Sequence, residues 1–454
     1  MSAFVGPSYP VSSRVASVER AVNLVPVPIE SPNAVRKIGY RDAPGLTLKA
    51  TLGGAIRGAL RTNGRSFVVA GSSILELASN YTTTSRGTVS GSGWCDFASN
   101  QTQVAVTDGS SLYVMERTGS AFASVAGYPG GDRIDVLNEY LLYIERGTGR
   151  FGWTNVGDAS VIDALDFATA EASPDNLKAV IVTNGEVLLL GTDSGEIWHN
   201  VGGDEVFARN NSATIEAGTQ SPFTVRRLDN SVFWVGSSEQ FGQGLVYRLN
   251  GYTPARISTR WVEEKLAPLD LSEAYAFALQ FEGHSWYVLQ VPGLDTTLVY
   301  DVLTGLWHEW SDFVDGDHIR HRADVHVFHG ADHVVGDADG KLYKLDTEAS
   351  SNAGDALCRS RVLPNITSPD GRILRFPELE CICDKATGGT MLLRWSNDNG
   401  ATWGSWHQIS LGATGDYKAR VRKMALGSSR NRVFELRVTD AVKWNPIDVI
   451  MRVV

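Results

Sequence analysis

Five of the nine histidines fall between residues 318 and 333: His318, His321, His326, His329 and His333. Asp315, Asp317, Asp324 and Asp332 lie among them. Imidazole with carboxylate is a ligand set suited to zinc or nickel. On an extended strand, however, His326 and His329 point to opposite faces, which weakens the case for a single site and leaves metal binding by this run open. A polar strand and loop accounts for it without a metal, and it makes this stretch a candidate for pH sensitivity. Asp337-Ala338-Asp339-Gly340 puts glycine fourth, where a calcium loop wants it sixth, so a hairpin turn is expected instead. The basic run Lys418, Arg420, Arg422, Lys423, Arg430 and Arg432 is the best interaction candidate. Lys418, Arg420 and Arg422 alternate and would share one strand face, either simply solvated or meeting an acidic neighbour subunit or DNA phosphates. The glycine-rich stretches at Gly53-Gly54 and residues 127–131 lack phosphate-loop or dinucleotide spacing. Neither a nucleophile elbow nor an HExxH helix is present. Catalytic, cofactor and metal residues are therefore not assigned.

Ser396-Asn397-Asp398-Asn399-Gly400-Ala401-Thr402-Trp403 fits the Asp-box pattern S-x-D-x-G-x-T-W. In such a hairpin Asp398 accepts backbone N–H bonds, Gly400 takes the left-handed position, and Trp403 packs underneath beside Ser396 and Thr402. Sialidases carry such boxes far from their catalytic centres. A sialidase would also need an arginine triad, a tyrosine nucleophile and an acid, which no spacing here supplies. The box is therefore read as structural.

The elements that must position these residues are short strands. The chain has 454 residues with 46 glycines, 12 tryptophans and 14 tyrosines, and 20% of it is charged. Such a composition suits many strands joined by tight turns. A repeat runs through it: a strand, a small turn of Asp, Gly and Ser, then a strand with an aliphatic residue beside an aromatic. Thr107-Asp108-Gly109-Ser110-Ser111-Leu112-Tyr113, Thr192-Asp193-Ser194-Gly195-Glu196-Ile197-Trp198 and Asp337-Ala338-Asp339-Gly340-Lys341-Leu342-Tyr343 are clear copies. Looser ones end at Trp153, Tyr247 and Tyr300, and Ala70-Gly71-Ser72-Ser73-Ile74-Leu75 is a degenerate first copy. The spacing of about 40–50 residues is that of a four-stranded propeller blade. One such sheet buries too little apolar surface alone, whereas blades around an axis cover each other.

The expected fold is thus all-β: a β-propeller of six or seven blades over residues 51–350, an extended N-terminal arm over 1–50, and a C-terminal β-sandwich-like domain over 351–454. Prolines in Leu24-Val25-Pro26-Val27-Pro28 and Ala43-Pro44-Gly45 argue for the arm, because proline blocks central strand pairing. Residues 348–355 read as a linker, and residues 165–177 and 261–266 as short helical turns.

The net charge of −10 argues against a conventional DNA binder. It is uneven: Asp384 to Val454 holds 11 Lys and Arg against 6 Asp and Glu, so that segment is net positive. The four cysteines (Cys95, Cys358, Cys381, Cys383) have no CxxC spacing and are expected to be buried and reduced. Residues 1–14 lack the pattern of a signal peptide, and no apolar run is long enough for a membrane span.

Several segments together resemble one family. They are Arg20-Ala21-Val22-Asn23-Leu24-Val25-Pro26, Phe167-Ala168-Thr169-Ala170-Glu171-Ala172-Ser173-Pro174-Asp175-Asn176, Leu190 to Gly202, and Val246-Tyr247-Arg248-Leu249-Asn250-Gly251-Tyr252-Thr253-Pro254-Ala255-Arg256. The chain is similar to the tail hub, or nozzle, proteins of short-tailed phages (podoviruses), also called packaged-DNA stabilisation proteins. The resemblance is strongest up to about residue 350. It implies a non-enzymatic virion part, assembled in the host bacterial cytoplasm and located in the tail. It further implies a homo-hexameric ring below the portal and adaptor proteins, contacts to tailspikes or fibres and to a plug or needle protein, and genomic DNA passing non-specifically through the ring. The alternative is a receptor-binding or glycan-cleaving propeller of the tail.

Overall fold

Strands that alternate short apolar runs with Asn-Gly and Asp-Gly turns pair with their sequence neighbours first, and the chain follows that rule almost throughout. In a computed structural model covering residues 4–170, 173–203, 205–238, 242–368, 370–385 and 387–454, seven four-stranded antiparallel blades follow one another. Blades 1 to 6 take residues 56–88, 96–124, 134–169, 177–215, 226–256 and 275–314. The six aromatics of the sequence repeat all lie on the third strands of blades 2 to 7, and Ile74-Leu75 lies on that of blade 1. The repeat seen in the sequence is therefore the turn between second and third strands. Two of those turns are closed by their own aspartate: Asp108 Oδ1 accepts the N–H of Ser110 and Ser111 (3.0 and 2.8 Å), and Asp337 Oδ1 accepts those of Asp339 and Lys341 (3.0 and 2.7 Å). In the latter the Tyr343 hydroxyl donates to Asp337 Oδ2 at 2.8 Å. In five of the blades, first and second strands are joined by turns with two consecutive positive φ values, as at Asn184-Gly185 (+50°, +80°) and Asp229-Asn230 (+51°, +52°).

Blade 7 closes the ring with a borrowed strand. Val325–His329, Asp332–Gly336 and Lys341–Asp346 are followed in the sheet by Gly45–Thr51, which pairs antiparallel with Lys341–Asp346. The strand straddles the expected limit of the arm at residue 50, so the arm's end is the outer strand of the last blade. The cores lie between blades: Val180, Leu189 and Trp198 of blade 4 pack with Leu142 and Phe151 of blade 3. Phe233 and Val246 of blade 5 likewise pack with Tyr287 and Leu298 of blade 6.

The rest of the arm ties the propeller to the second domain. Val18–Val22 runs parallel to the outer strand of blade 6 (Leu306–Val314), with Val22 opposite Glu309, and antiparallel to Arg359–Val362. The sheet continues through Asn431–Val438 and Thr390–Ser396 to His407–Ser410. A second sheet orders Val421–Met424, Glu378–Cys383 and Pro446–Arg452. The two enclose a core of Phe376, Leu379, Met391, Leu393, Phe434, Leu436 and Trp444, a β-sandwich. Asn23 is the latch at this junction. It is buried with φ +54°, its amide donates to the carbonyls of Ser311 and Cys358 (3.0 and 2.8 Å), and its Oδ1 accepts Ser311 N–H at 2.9 Å.

Two local expectations need correction. Residues 348–355 are not a free linker: Ser351–Asn352 pairs parallel with Gly45–Thr51, and the Asn352 amide donates to Asp312 at 2.8 Å. The segment from residue 165 holds no helical turn among the described residues. Phe167–Thr169 is the outer strand of blade 3, because its backbone completes that blade's ladder and Arg150 covers Phe167 at 4.6 Å. Glu171 and Ala172 lie outside the described residues. The turn expected over 261–266 is a helix, Arg260–Leu266, which buries Trp261, Val262 and Leu266 against blades 5 and 6.

Candidate interaction surfaces

The basic run does not form one continuous face. Only Arg422 and Lys423 lie on the strand Val421–Met424; Lys418 and Arg420 precede it and Arg430 follows it. Arg420 and Arg422 are neutralised within the sheet. Arg420 Nε donates to Glu380 at 3.0 Å and Arg422 Nη1 to Glu378 at 2.9 Å, with Arg452 also 3.8 Å from Glu378. The Arg420 hydrogen bond holds the Glu380 carboxyl below its ordinary value. Lys418, Lys423 and Arg430 have no ion pair among the described residues, so they carry the positive surplus of this side of the sandwich.

Arg432 is not at the surface at all. It is 2% exposed, with its guanidinium over Phe376 (4.5 Å) and Trp395 (5.6 Å). It donates to Asn397 Oδ1 at 2.9 Å and to the carbonyl of Leu426 at 2.5 Å. Alternation along Asn431–Val438 turns it inward, where an arginine serves as a hydrogen-bonding brace inside an aromatic box.

The Asp-box residues converge as a hairpin brace. Ser396 Oγ donates to Asp398 Oδ1 (2.6 Å) and accepts the N–H of Gly400 (2.8 Å). Asp398 Oδ1 accepts the Thr402 N–H (2.8 Å), and Oδ2 accepts the Thr402 hydroxyl. These bonds hold the Asp398 carboxyl well below the usual carboxylate range. Trp403 is half-buried, stacked with Arg394 at 4.7 Å, while Arg394 lies over Trp406 at 4.2 Å. The hairpin borders a cleft of about 600 Å³ between arm, propeller and sandwich, whose lining includes Arg20, Arg394, Trp403 and Arg437.

The histidines are dispersed into four settings. His326 and His333 share a hydrogen bond at 3.0 Å with stacked rings. His329 sits on the other side of the strand, within hydrogen-bond distance of Ser66 Oγ (2.9 Å) and the Ala78 carbonyl (3.1 Å). His318 meets Ser311 Oγ at 2.7 Å, and His321 is buried against Trp310. Burial pushes His318 and His326 down to about 3, so both are neutral near pH 7. No group of three or more His, Cys, Asp and Glu among the described residues is placed to hold a metal ion. All four cysteines are buried and unpaired.

Charged residues that no motif singled out line the propeller axis: Asp96, Arg133, Asp135, Arg226 and Arg227. Each stands at or beside the start of an innermost strand, yet isolated charges at blade entries carry no local sequence signal. Nor does any helix among the described residues reach the length and apolarity of a membrane span.

Comparison with known families gives two matches in chain order. A family described as "Bacteriophage P22 Gp10, beta-propeller" matches residues 18–350, and one described as "Bacteriophage P22 Gp10, beta-sandwich" matches residues 365–453. No curated protein sequence matches the chain. Among solved structures, the N-terminal domain of Nup159 is 11% identical with a TM-score of 0.42, covering 72% of this chain and 99% of its own. YCF48 from Cyanidioschyzon merolae is 12% identical with a TM-score of 0.41, covering 67% and 99%. The extracellular domain of a two-component system from B. thetaiotaomicron is 9% identical with a TM-score of 0.45, covering 87% and 56%.

Proposed function

The chain belongs to the bacteriophage P22 Gp10 family, a structural component of the virion tail, and from that premise we propose that it is the nozzle subunit that extends the DNA channel. In this role six copies form a ring below the portal and adaptor, retain the packaged genome, and dock tailspikes or fibres and a plug or needle. The chain acts without catalysis. Its partners are other virion proteins, and DNA passes it without sequence recognition. The observation that carries the proposal is the presence of both family domains in order, welded by one continuous sheet from blade 6 into the sandwich. A part that bears internal DNA pressure needs such rigidity. The charge distribution is also favourable: the residues before 384 hold the whole negative surplus, and an acidic wall repels phosphates that would otherwise stick during ejection. Lys418, Lys423 and Arg430, with Arg420 and Arg422 beside them, are proposed to face an acidic neighbouring subunit.

The test is DNA retention in particles assembled without this protein. Filled heads that lose their genome, and hold it again when the protein is added back, are the expected result. Particles that keep their DNA but fail to adsorb would replace the nozzle with a receptor-binding role.

A further inference from the structure

The axis of the propeller holds a pocket of about 250 Å³, and every blade contributes to it through its innermost strand. Five charged groups line it. Arg133 Nε donates to Asp96 Oδ2 at 2.8 Å, and its Nη1 donates to the carbonyls of Pro222 (2.6 Å) and Val225 (3.1 Å). Arg227 Nη2 donates to Asp135 Oδ1 at 3.2 Å, while Asp135 Oδ2 accepts the Val182 N–H at 2.7 Å. Each aspartate thus has its own guanidinium.

Arg226 is the cation left over. Its Nε donates to the Ala276 carbonyl at 2.6 Å and its guanidinium lies over Tyr275 at 4.7 Å. Its Nη1 reaches only the Val225 carbonyl at 3.4 Å, and it has no carboxylate partner among the described residues. The other titratable groups in the lining add no charge: burial pushes the Cys95 thiol up to about 12 and holds His326 near 3. Burial, with the nearby Arg226 charge, also holds the Arg133 guanidinium below its ordinary value despite Asp96. Three guanidinium groups against two carboxylates leave one positive charge on the pocket, with Arg226 half-buried and Arg227 open to solvent.

We infer that this axial pocket is a binding site for a small oxyanion, a phosphate or a carboxylate, held by the Arg226 fork with Arg133 and Arg227 beside it. A planar guanidinium is the side chain that matches such an anion with paired hydrogen bonds. The space is ample, since one water takes about 30 Å³ of liquid volume. A second cleft of about 500 Å³, bordered by Asn184, Asp229 and Gln280, adjoins it and shares Arg227 and Ala278 with it. The site does not depend on the nozzle proposal.

The experiment is calorimetric titration of the full-length protein with inorganic phosphate, and separately with acetate, at ionic strength matched with sodium chloride. Saturable binding of one anion per chain is expected, weakened at least about tenfold in Arg226→Gln, as loss of a charge-assisted hydrogen-bonded fork implies. The exposed Arg372→Gln control should bind as the native chain does. Preference for phosphate would point to a free phosphate or phosphoester, and preference for acetate to a carboxylate. If neither anion binds beyond chloride, or Arg226→Gln binds unchanged, the inference is wrong. Should that variant not fold, selenate located by anomalous scattering in the native protein decides: density at Arg226 supports the site, and density only at surface arginines overturns it.

Discussion

Replacing Glu309 by glutamine tests whether the junction between arm, propeller and sandwich is held electrostatically. Glu309 is fully buried on the outer strand of blade 6 and takes a forked contact from Arg20, with Nε at 2.9 and 3.1 Å and Nη2 at 2.7 Å. The Thr296 hydroxyl donates to it at 2.7 Å. Burial alone would raise the carboxyl, but the Arg20 charge and hydrogen bonds outweigh it and bring it down to about 2. Against the ordinary value of 4.5, that gap corresponds to about 3 kcal/mol. Breaking one side of a buried ion pair costs about 3–5 kcal/mol by an independent route, so the two scales agree.

The sign follows from the depressed value. The unfolded chain binds the proton first as pH falls, so the contribution is full above about pH 4.5 and is lost as pH falls toward 2. At neutral pH, Glu309→Gln should therefore release the strand Val18–Val22 from blade 6. Hydrogen exchange of its amides, and of Arg359–Val362 beside it, should accelerate by about 100-fold if opening there is local. Unchanged protection in the variant, with unchanged stability at neutral pH, would refute the reasoning and leave backbone pairing and the Asn23 latch to hold the junction.

Trp403→Ala should cost about 1–2 kcal/mol in urea unfolding, because the ring is half-buried and stacked with Arg394. A loss of 3–5 kcal/mol, as for a core aromatic, would contradict that placement. Arg432→Ala should cost about 3 kcal/mol by emptying an aromatic box and unpairing the Leu426 carbonyl; near-neutral unfolding data would return Arg432 to the surface. Arg420→Gln with Arg422→Gln should weaken docking to a neighbouring subunit, measured by complex formation, and should also destabilise the sandwich, because both guanidinium groups are taken from the buried Glu378. Glutamine is the better probe than glutamate, which would face Glu378 and Glu380. Burial depresses His308 to about 4 and His318 and His326 to about 3, so their unfolded forms bind protons first and stability should fall as pH drops from about 6.5 through 4. Asp42, raised to about 6 by burial, opposes part of this below pH 6. A urea midpoint that stays flat over that range in the native chain, or that falls as steeply in His326→Phe, would overturn the assignment.

The blades were legible because each copy of the repeat marks the same event, the turn from second to third strand, followed in six of the seven by an aromatic on the third strand. Seven such copies, the degenerate Ala70–Leu75 included, correspond to the seven blades. What local pattern could not give was long-range pairing. Gly45–Thr51 looks like any short strand, and only ring closure reveals that its partner lies some 300 residues away at Lys341–Asp346. Nor can alternation alone tell a solvated arginine from a buried one: Arg422 and Arg432 both sit on strands, and only the aromatic box of Phe376 and Trp395 distinguishes them. The axial charges escaped for the same reason, since Arg133 and Arg226 are 93 positions apart in sequence and meet only when the ring forms.

The first fifty residues decide the mechanical character of the molecule. One stretch of the arm closes the propeller through six paired positions between Gly45–Thr51 and Lys341–Asp346. Another, Val18–Val22, is a strand of the sheet that passes from blade 6 into the sandwich. Asn23 lies between them and hydrogen-bonds to both sides of the junction. The arm therefore joins propeller to sandwich by backbone pairing, at one position on the blade 6 side (Val22 with Glu309) and three on the sandwich side, with the segment after blade 7 itself paired to the closing strand. Opening the ring and freeing the sandwich both pull on the same short arm, so neither is independent of the other.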